Sequence, residues 1–164
     1  MMEETKRIIE LSKYKPEHLD VLLEFQLPEE QAQFTALPSG IIKKANEDPS
    51  KHLLVILAGD IPVGFFVLNE GNRVMDYTEN IHALLLSAFS INFSEQGKGY
   101  AKKGLRLLPA FVSEHFKGIN EVLLAVNKKN TAAQIAYKKS GFIDRGQRRM
   151  GPKGEQLIFQ LPLI

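Results

Sequence analysis

Six consecutive residues, Gln96-Gly97-Lys98-Gly99-Tyr100-Ala101, stand between an apolar run and a stretch with helical spacing. Two glycines in such a turn let successive N–H groups point to one side, and the start of the next helix adds its partial positive charge. Together these make an anion cradle suited to a phosphate or pyrophosphate, with Lys98 as a donor at the rim and Lys102 and Lys103 following. A Walker loop requires a glycine, four intervening residues and then Gly-Lys-Ser/Thr, which this turn lacks. A dinucleotide fingerprint needs a third glycine where Lys102 stands, and an acid closing a strand about 20 residues on; Glu121 instead opens a strand. Taken alone, the two glycines are better read as an ordinary strand-to-helix turn.

A second set of residues follows one crossover later: Asn130, Ala133, Tyr137, Gly141 and Phe142. Singly, each has a plain structural reading. Asn130 stands where a helix N-cap belongs, and Tyr137 suits a core aromatic with its hydroxyl at the surface. The two sets occur together, however, as Q/R-x-x-G-x-G/A (Gln96, Gly99, Ala101) and N-x-x-A-x-x-x-Y-x-x-x-G-F. In this the chain resembles the GNAT family of acyl-CoA-dependent N-acetyltransferases, and the element order agrees over nearly the whole length.

The resemblance implies a site and a reaction. Acetyl-CoA is the expected co-substrate, its pyrophosphate on N–H groups from Gly97 to Ala101. Its pantetheine arm is expected along Phe89-Ser90-Ile91, pairing like an added strand where the family's two central strands splay apart. A main-chain N–H near Ile91 would polarise the thioester carbonyl. Tyr137 takes the place of the family's usual proton donor, and a phenol near pKa 10 can protonate a thiolate whose conjugate acid lies near 8.5. Asn130 and Lys138 are expected to line the cofactor channel, and Gln96, Lys98, Tyr100 and Ala133 complete the cofactor-binding set. Phe93 and Glu95 depart from the family, which often has Pro and an aromatic before the Gln or Arg. Pro109 inside the crossover helix is a further departure.

For a general base, Glu79 and His82 precede the central strand, and Glu29 and Glu30 lie in the first helix–helix loop; a water chain serves in many family members. The acceptor is read as the primary amine of a small molecule, gripped by residues 26–40, 70–82 and 147–156. Phe34 either walls that pocket or packs in the core. A protein or peptide amine, and a non-catalytic CoA-binding module, are the rival readings of the same fold. A homodimer is left open.

The elements that must position these residues follow from period and punctuation. Arg7 to Leu11 is a short apolar run, and Lys15-Pro16-Glu17 opens a helix with Leu19, Leu22, Leu23 and Gln26 on one face, stopped at Leu27-Pro28. Ser39-Gly40 starts a helix over 41–46, ended by Asp48-Pro49. Strands are predicted over 52–58 and 62–68 with a Gly59-Asp60 hairpin, and over 81–93 as a strand buried on both faces. Ala101, Leu105, Leu108, Val112 and Phe116 recur at helical spacing over 100–116, with a kink or break near Leu108 because the Pro109 ring clashes one turn back. A buried strand over 121–126, a helix over 130–139 closed by Ser140-Gly141, and strands over 142–150 and 157–163 complete the chain. The order implies an α/β fold with a mixed sheet and helices on its faces, whose crossover helix joins two parallel neighbours, all in a single domain over 1–164.

Composition agrees. The chain has 164 residues, 44% apolar, with ten Phe, four Tyr and no Trp, enough to bury a core and too few charges for disorder. Cysteine is absent, which excludes disulfides, Cys zinc sites and thiol nucleophiles. The four histidines are scattered without ligand spacing, so no metal is expected. A net charge of +2 gives no argument for nucleic acid or a membrane surface. The first fifteen residues lack the apolar run of a signal peptide, and Ala83-Leu84-Leu85-Leu86 is far too short to cross a bilayer. A cytoplasmic location is expected.

Overall fold

A computed structural model describes residues 7–163. The leader reading of the first fifteen residues therefore falls partly outside the described residues. The elements are β1 (Ile9–Lys13), α1 (Leu19–Leu23), α2 (Glu29–Ala32), α3 (Pro38–Asn46), β2 (Lys51–Ala58), β3 (Ile61–Asn69), β4 (Ala83–Ile91), α4 (Tyr100–Arg106), α5 (Leu108–His115), β5 (Glu121–Asn127), α6 (Thr131–Lys139), β6 (Ile143–Gly151) and β7 (Gly154–Pro162). They form one mixed sheet of seven strands in the order β1-β2-β3-β4-β5-β7-β6. Every adjacent pair is antiparallel except β4 and β5.

Alternation along the strands sorts side chains onto the two faces. Leu54, Ile56, Phe66 and Leu68 pack with Leu105, Leu108, Val112 and Tyr137 from α4, α5 and α6. Leu53, Val55, Phe65 and Val67 pack with Leu22, Ile42 and Ala45 from α1 and α3. The central strands are covered on both faces, which is why their sequences are almost uninterruptedly apolar. No helix among the described residues is long and apolar enough to cross a membrane.

Several boundaries differ from those read in the sequence. The first helix stops at Leu23 rather than Leu27; Leu23 is exposed, and Phe25 enters the core in its place. The helix predicted over 41–46 starts at Pro38, whose missing N–H costs nothing in a first turn. The strand predicted over 81–93 covers only Ala83–Ile91, with Ile81 74% and Phe93 57% exposed. The last strand begins at Gly154, three residues early, because a two-residue turn closes the final hairpin. The crossover helix breaks in two at Leu107. Pro109 offers no N–H, so Leu107 N–H tightens back onto Gly104 O and Phe111 N–H restarts the ladder on Leu107 O.

Two features of β4 shape the site. Its pairing with β5 is confined to Ala83–Glu121, Leu84–Val122 and Leu85–Leu123. Beyond these, β5 stays paired with β7 to Asn127 while β4 stays paired with β3 to Ile91, so the parallel neighbours diverge. Between the pairs Val67–Ser87 and Phe65–Ser90, β3 advances two residues and β4 three. This is a bulge, and Ala88 within it has φ +57, a left-handed conformation that a non-glycine residue seldom adopts. The residues predicted to be buried on both faces are thus only half-buried at Ser87, Ala88 and Phe89, where β4 borders the gap.

Candidate active site

The gap between β4 and β5 opens into a cleft of about 620 Å³. Its walls are β4 from Leu86 to Ile91, β5 from Leu124 to Asn127, the glycine turn, and the start of α6. Gly97 and Gly99 both have positive φ, +79 and +82, and Gly99 is the N-cap of α4 without a side-chain cap. Among the described residues, none of the N–H groups of Gly97 to Lys102 has a protein acceptor. Those of Tyr100, Ala101 and Lys102 are the first-turn donors that any helix leaves unmet. Side chains do not obstruct them: a Cβ at Gly97 would meet nothing within 4 Å, and one at Gly99 only Lys103 Cε at 4.0 Å.

The β4 edge supplies further backbone groups. Ser90 pairs with Phe65, and Asn92 N–H donates to Val63 O at 3.0 Å, so these residues face β3. Alternation turns Phe89 and Ile91 to the other edge. There Phe89 O accepts from Thr35 Oγ1 at 3.2 Å and Ile91 O from Gln96 Nε2 at 2.9 Å. The Ser90 hydroxyl is buried at the cleft wall and has no partner among the described residues.

Tyr137 sits on α6, 8% exposed, with its ring edge-on to Phe89 and Phe142 at centroid distances of 5.8 and 5.7 Å. It lines the cleft, and burial pushes its phenol well above the ordinary value. It therefore carries its proton across the whole physiological range, as an acid must and a base must not. Asn130 caps α6 by accepting from Ala133 N–H at 3.3 Å, and both residues line the cleft.

The remaining residues singled out in the sequence are placed as follows. Gln96, Gly97, Gly99, Tyr100 and Ala101 line the cleft, and the Tyr100 ring is buried with the Arg7 guanidinium 5.5 Å above it. Lys98 lies outside the lining and pairs with Glu95 at 3.2 Å; Lys138 also lies outside, its Nζ 5.5 Å from the centre of the Phe159 ring. Glu29, Glu30, Glu79 and His82 are exposed and line neither this cleft nor the cavity described next. Among the described residues, no group of three or more His, Asp or Glu could hold a metal ion.

A second cavity, of about 600 Å³, adjoins the first. The two share Phe34, Thr35, Leu86, Ser87, Ala88, Ala125 and Gln156, and so meet at the β4 bulge. Segments 26–40, 70–82 and 147–156, expected to grip the acceptor, each place residues on this cavity: Phe34, Arg73, Tyr77 and Gln156. Sequence reasoning missed Lys44, Asp48 and Lys51, which come from the end of α3 and the start of β2. Isolated polar residues at helix and strand ends carry no local signal of a shared cavity.

The acetyltransferase (GNAT) family model matches residues 19–142. The "uncharacterized N-acetyltransferase YbbJ" of Bacillus subtilis (strain 168) is 48% identical over 151 residues, 92% of this chain and 94% of that protein. In fold, the chain is similar to aminoglycoside acetyltransferase AAC(6')-Ib in complex with coenzyme A and kanamycin, at TM-score 0.73 and 16% identity, covering 94% of this chain and 95% of that one. It is also similar to the aminoglycoside N(6')acetyltransferase of Legionella pneumophila, at TM-score 0.70 and 18% identity, covering 98% and 94%. With the two motifs, the splayed parallel pair and a family match over most of its length, the chain belongs to the GNAT acetyltransferase family.

Proposed function

We propose that this chain is an N-acetyltransferase that takes acetyl-CoA in the cleft and passes its acetyl group to a primary amine of a small molecule entered from the second cavity. The observation that carries the reading is the end of β4–β5 pairing at Leu85–Leu123, with the amides of Gly97 to Lys102, unpartnered among the described residues, at the mouth of the gap.

Each part has a physical role. Amides 97–102, aided by the first turn of α4, suit the diphosphate. The outer β4 edge at Phe89 and Ile91, whose carbonyls accept from Thr35 and Gln96, keeps its N–H groups for the amides of a pantetheine arm, and the Ile91 N–H is a donor for a carbonyl oxygen that gains charge. When bound, acetyl-CoA supplies an acyl thioester as electrophile. Tyr137 holds the proton that the leaving sulfur requires. Burial raises its pKa, which keeps the phenol protonated until a sulfur anion needs the proton. The acids lining the cavities are Glu95, bonded to Arg7 at 2.9 Å, and Asp48, bonded to Ser50. Both carboxylates are engaged, so a chain of water leading to bulk solvent is the proposed route by which the acceptor ammonium loses its proton. The volume of that cavity is in the range of small-molecule sites, which supports a small acceptor.

Calorimetric titration with CoA, followed by thiol release from acetyl-CoA across a panel of amines, tests the reading. Binding with turnover of at least one small amine is expected. Binding without turnover of small amines or peptides would leave a non-catalytic module, and turnover of peptides alone would leave a protein acetyltransferase.

A further inference from the structure

Granting the reading above, on which this inference rests, the geometry points to an acceptor amine that also carries an oxyanion, a carboxylate or phosphoryl group, held by Lys51 and Arg73 in the second cavity. Three cations, Lys44, Lys51 and Arg73, line that cavity against one acid, Asp48. Asp48 accepts from the Ser50 N–H at 2.9 Å and the Ser50 hydroxyl at 2.7 Å, and lies beyond 4.0 Å from each of the three cations. Among the described residues, the three cations make no ion pair at all. A fourth cation backs the same wall. The Arg149 guanidinium lies 4.2 Å from the centre of the Tyr77 ring and donates to Gln156 Oε1 at 3.1 Å, and both partners line the cavity.

Lys51 is held in place rather than trailing in solvent. It is half-buried, and its ammonium donates to Asn69 Oδ1 at 2.8 Å. Asn69 is itself 1% exposed, and its amide donates to Leu85 O at 2.8 Å and Ser87 Oγ at 2.9 Å. The cation is thus fixed against the part of β4 where the strands part. Among the described residues, two of its three N–H donors have no protein partner. Burial and the charge of Arg73 push its pKa down, and the more distant charge of Asp48 partly opposes them. A fixed, half-buried cation set beside a second cation, with no carboxylate in ion-pair contact among the described residues, costs stability, and a bound oxyanion lowers that cost. An acceptor anchored there directs its other end to the bulge at Ala88, shared with the cleft. Kanamycin, a polyamine bound by one fold neighbour, would bring like charge to this wall.

The test uses acceptors of similar length and different charge: 4-aminobutyrate, 3-aminopropylphosphonate, 4-amino-1-butanol and 1,4-diaminobutane. CoA binding is measured first by calorimetry, and thiol release then gives kcat/KM at saturating acetyl-CoA. At least one anion is expected to exceed the alcohol about tenfold or more, as one charge-assisted contact allows, and the diamine to fall below the alcohol. The better anion tells carboxylate from phosphoryl. Lys51→Gln and Arg73→Gln should each lower the anion-to-alcohol ratio about tenfold, and Lys51→Arg should restore most of it. A preference for diamine or alcohol, a ratio unmoved in both glutamine variants, or no turnover and no calorimetric binding of either anion to the CoA-loaded protein overturns the inference while CoA binding stands. Absence of CoA binding overturns the acetyl-transfer reading and this inference with it.

Discussion

Gln31 and Gln96 clasp their side-chain amides reciprocally, at 2.8 and 3.1 Å, and the Gln96 amide also donates to Ile91 O at 2.9 Å. Both N–H groups of Gln96 and one lone pair of its oxygen are thereby used within the protein. The clasp ties α2, which has no buried residue of its own, to the end of β4 and to the glycine turn. Gln31→Ala removes both bonds of the clasp and should cost about 2 kcal/mol, at about 1 kcal/mol for each. That corresponds to a fall in Tm of about 4–8 °C. It should also raise the acetyl-CoA KM severalfold, because the turn loses a support without losing a backbone donor. A thermal melt and a KM measurement check this; an unmoved KM would show that the clasp stabilises α2 without setting the cleft.

Tyr137→Phe removes the proposed acid and little else, since the hydroxyl has no hydrogen-bond partner among the described residues. Turnover should fall about a hundredfold, with CoA affinity changed less than about threefold, within the usual span for a single proton donor. The pH dependence has a definite sign. The folded phenol is raised by burial, while the unfolded one ionises near pH 10. Stability from this group is therefore full below about pH 10 and is lost as pH rises beyond it. The Phe variant should lose less stability than the parent between about pH 9.5 and 11, as followed by urea midpoints. Equal losses would mean that Tyr137 is not buried in solution.

Much of this architecture is legible in the sequence because period and punctuation agree there. The glycine turn, the hairpin at Gly59, the Asn130 cap and the break before Pro109 each have a local cause, and each is found. The ends of β4 have none: residues 81–93 are uniformly strand-like, and pairing with β3 and β5 decides where they stop. The bulge at Ala88 is equally silent, since nothing about an alanine announces φ +57. The cation cluster joins Lys44, Lys51 and Arg73 from separate segments, a convergence that only the fold creates. Gln96 was legible as part of a motif, but its clasp with Gln31 was not, because its partner lies 65 residues away.

At Gly99 the conformation, not the space, requires glycine. With φ +82 and a nearest Cβ neighbour 4.0 Å away, an added side chain fits but strains the backbone by about 1–2 kcal/mol. Turning φ negative relieves that strain and swings the free amides away from the cleft. CoA affinity should follow the order Gly, Asn, Ala, Val, because Asn tolerates the left-handed region and β-branching does not. Gly99→Val should lose at least about tenfold, the equivalent of the strain it must relieve. Titration calorimetry with CoA gives the order; equal affinity for the Gly and Val proteins would remove the diphosphate from this turn.

At Gly104 space is the requirement. This residue sits in α4 against Ile56 of β2, and a Cβ there would lie 2.6 Å from Ile56 Cδ1, 2.9 Å from Cγ1 and 3.2 Å from Cγ2. Ile56 is fully buried and cannot retreat as an exposed side chain would. Alanine gains about 1 kcal/mol in helix propensity. Overpacking costs about 1–3 kcal/mol. Gly104→Ala should therefore be neutral to destabilising, with the loss concentrated in α4, whose first turn presents the free amides. Adding Ile56→Val removes the closest atom, Cδ1. The double variant should then be more stable than the sum of the two single effects, by about 1 kcal/mol in a double-mutant cycle. Strict additivity in urea melts would mean that α4 is free to lift off the sheet, and that its glycine is not what holds the cradle against β2.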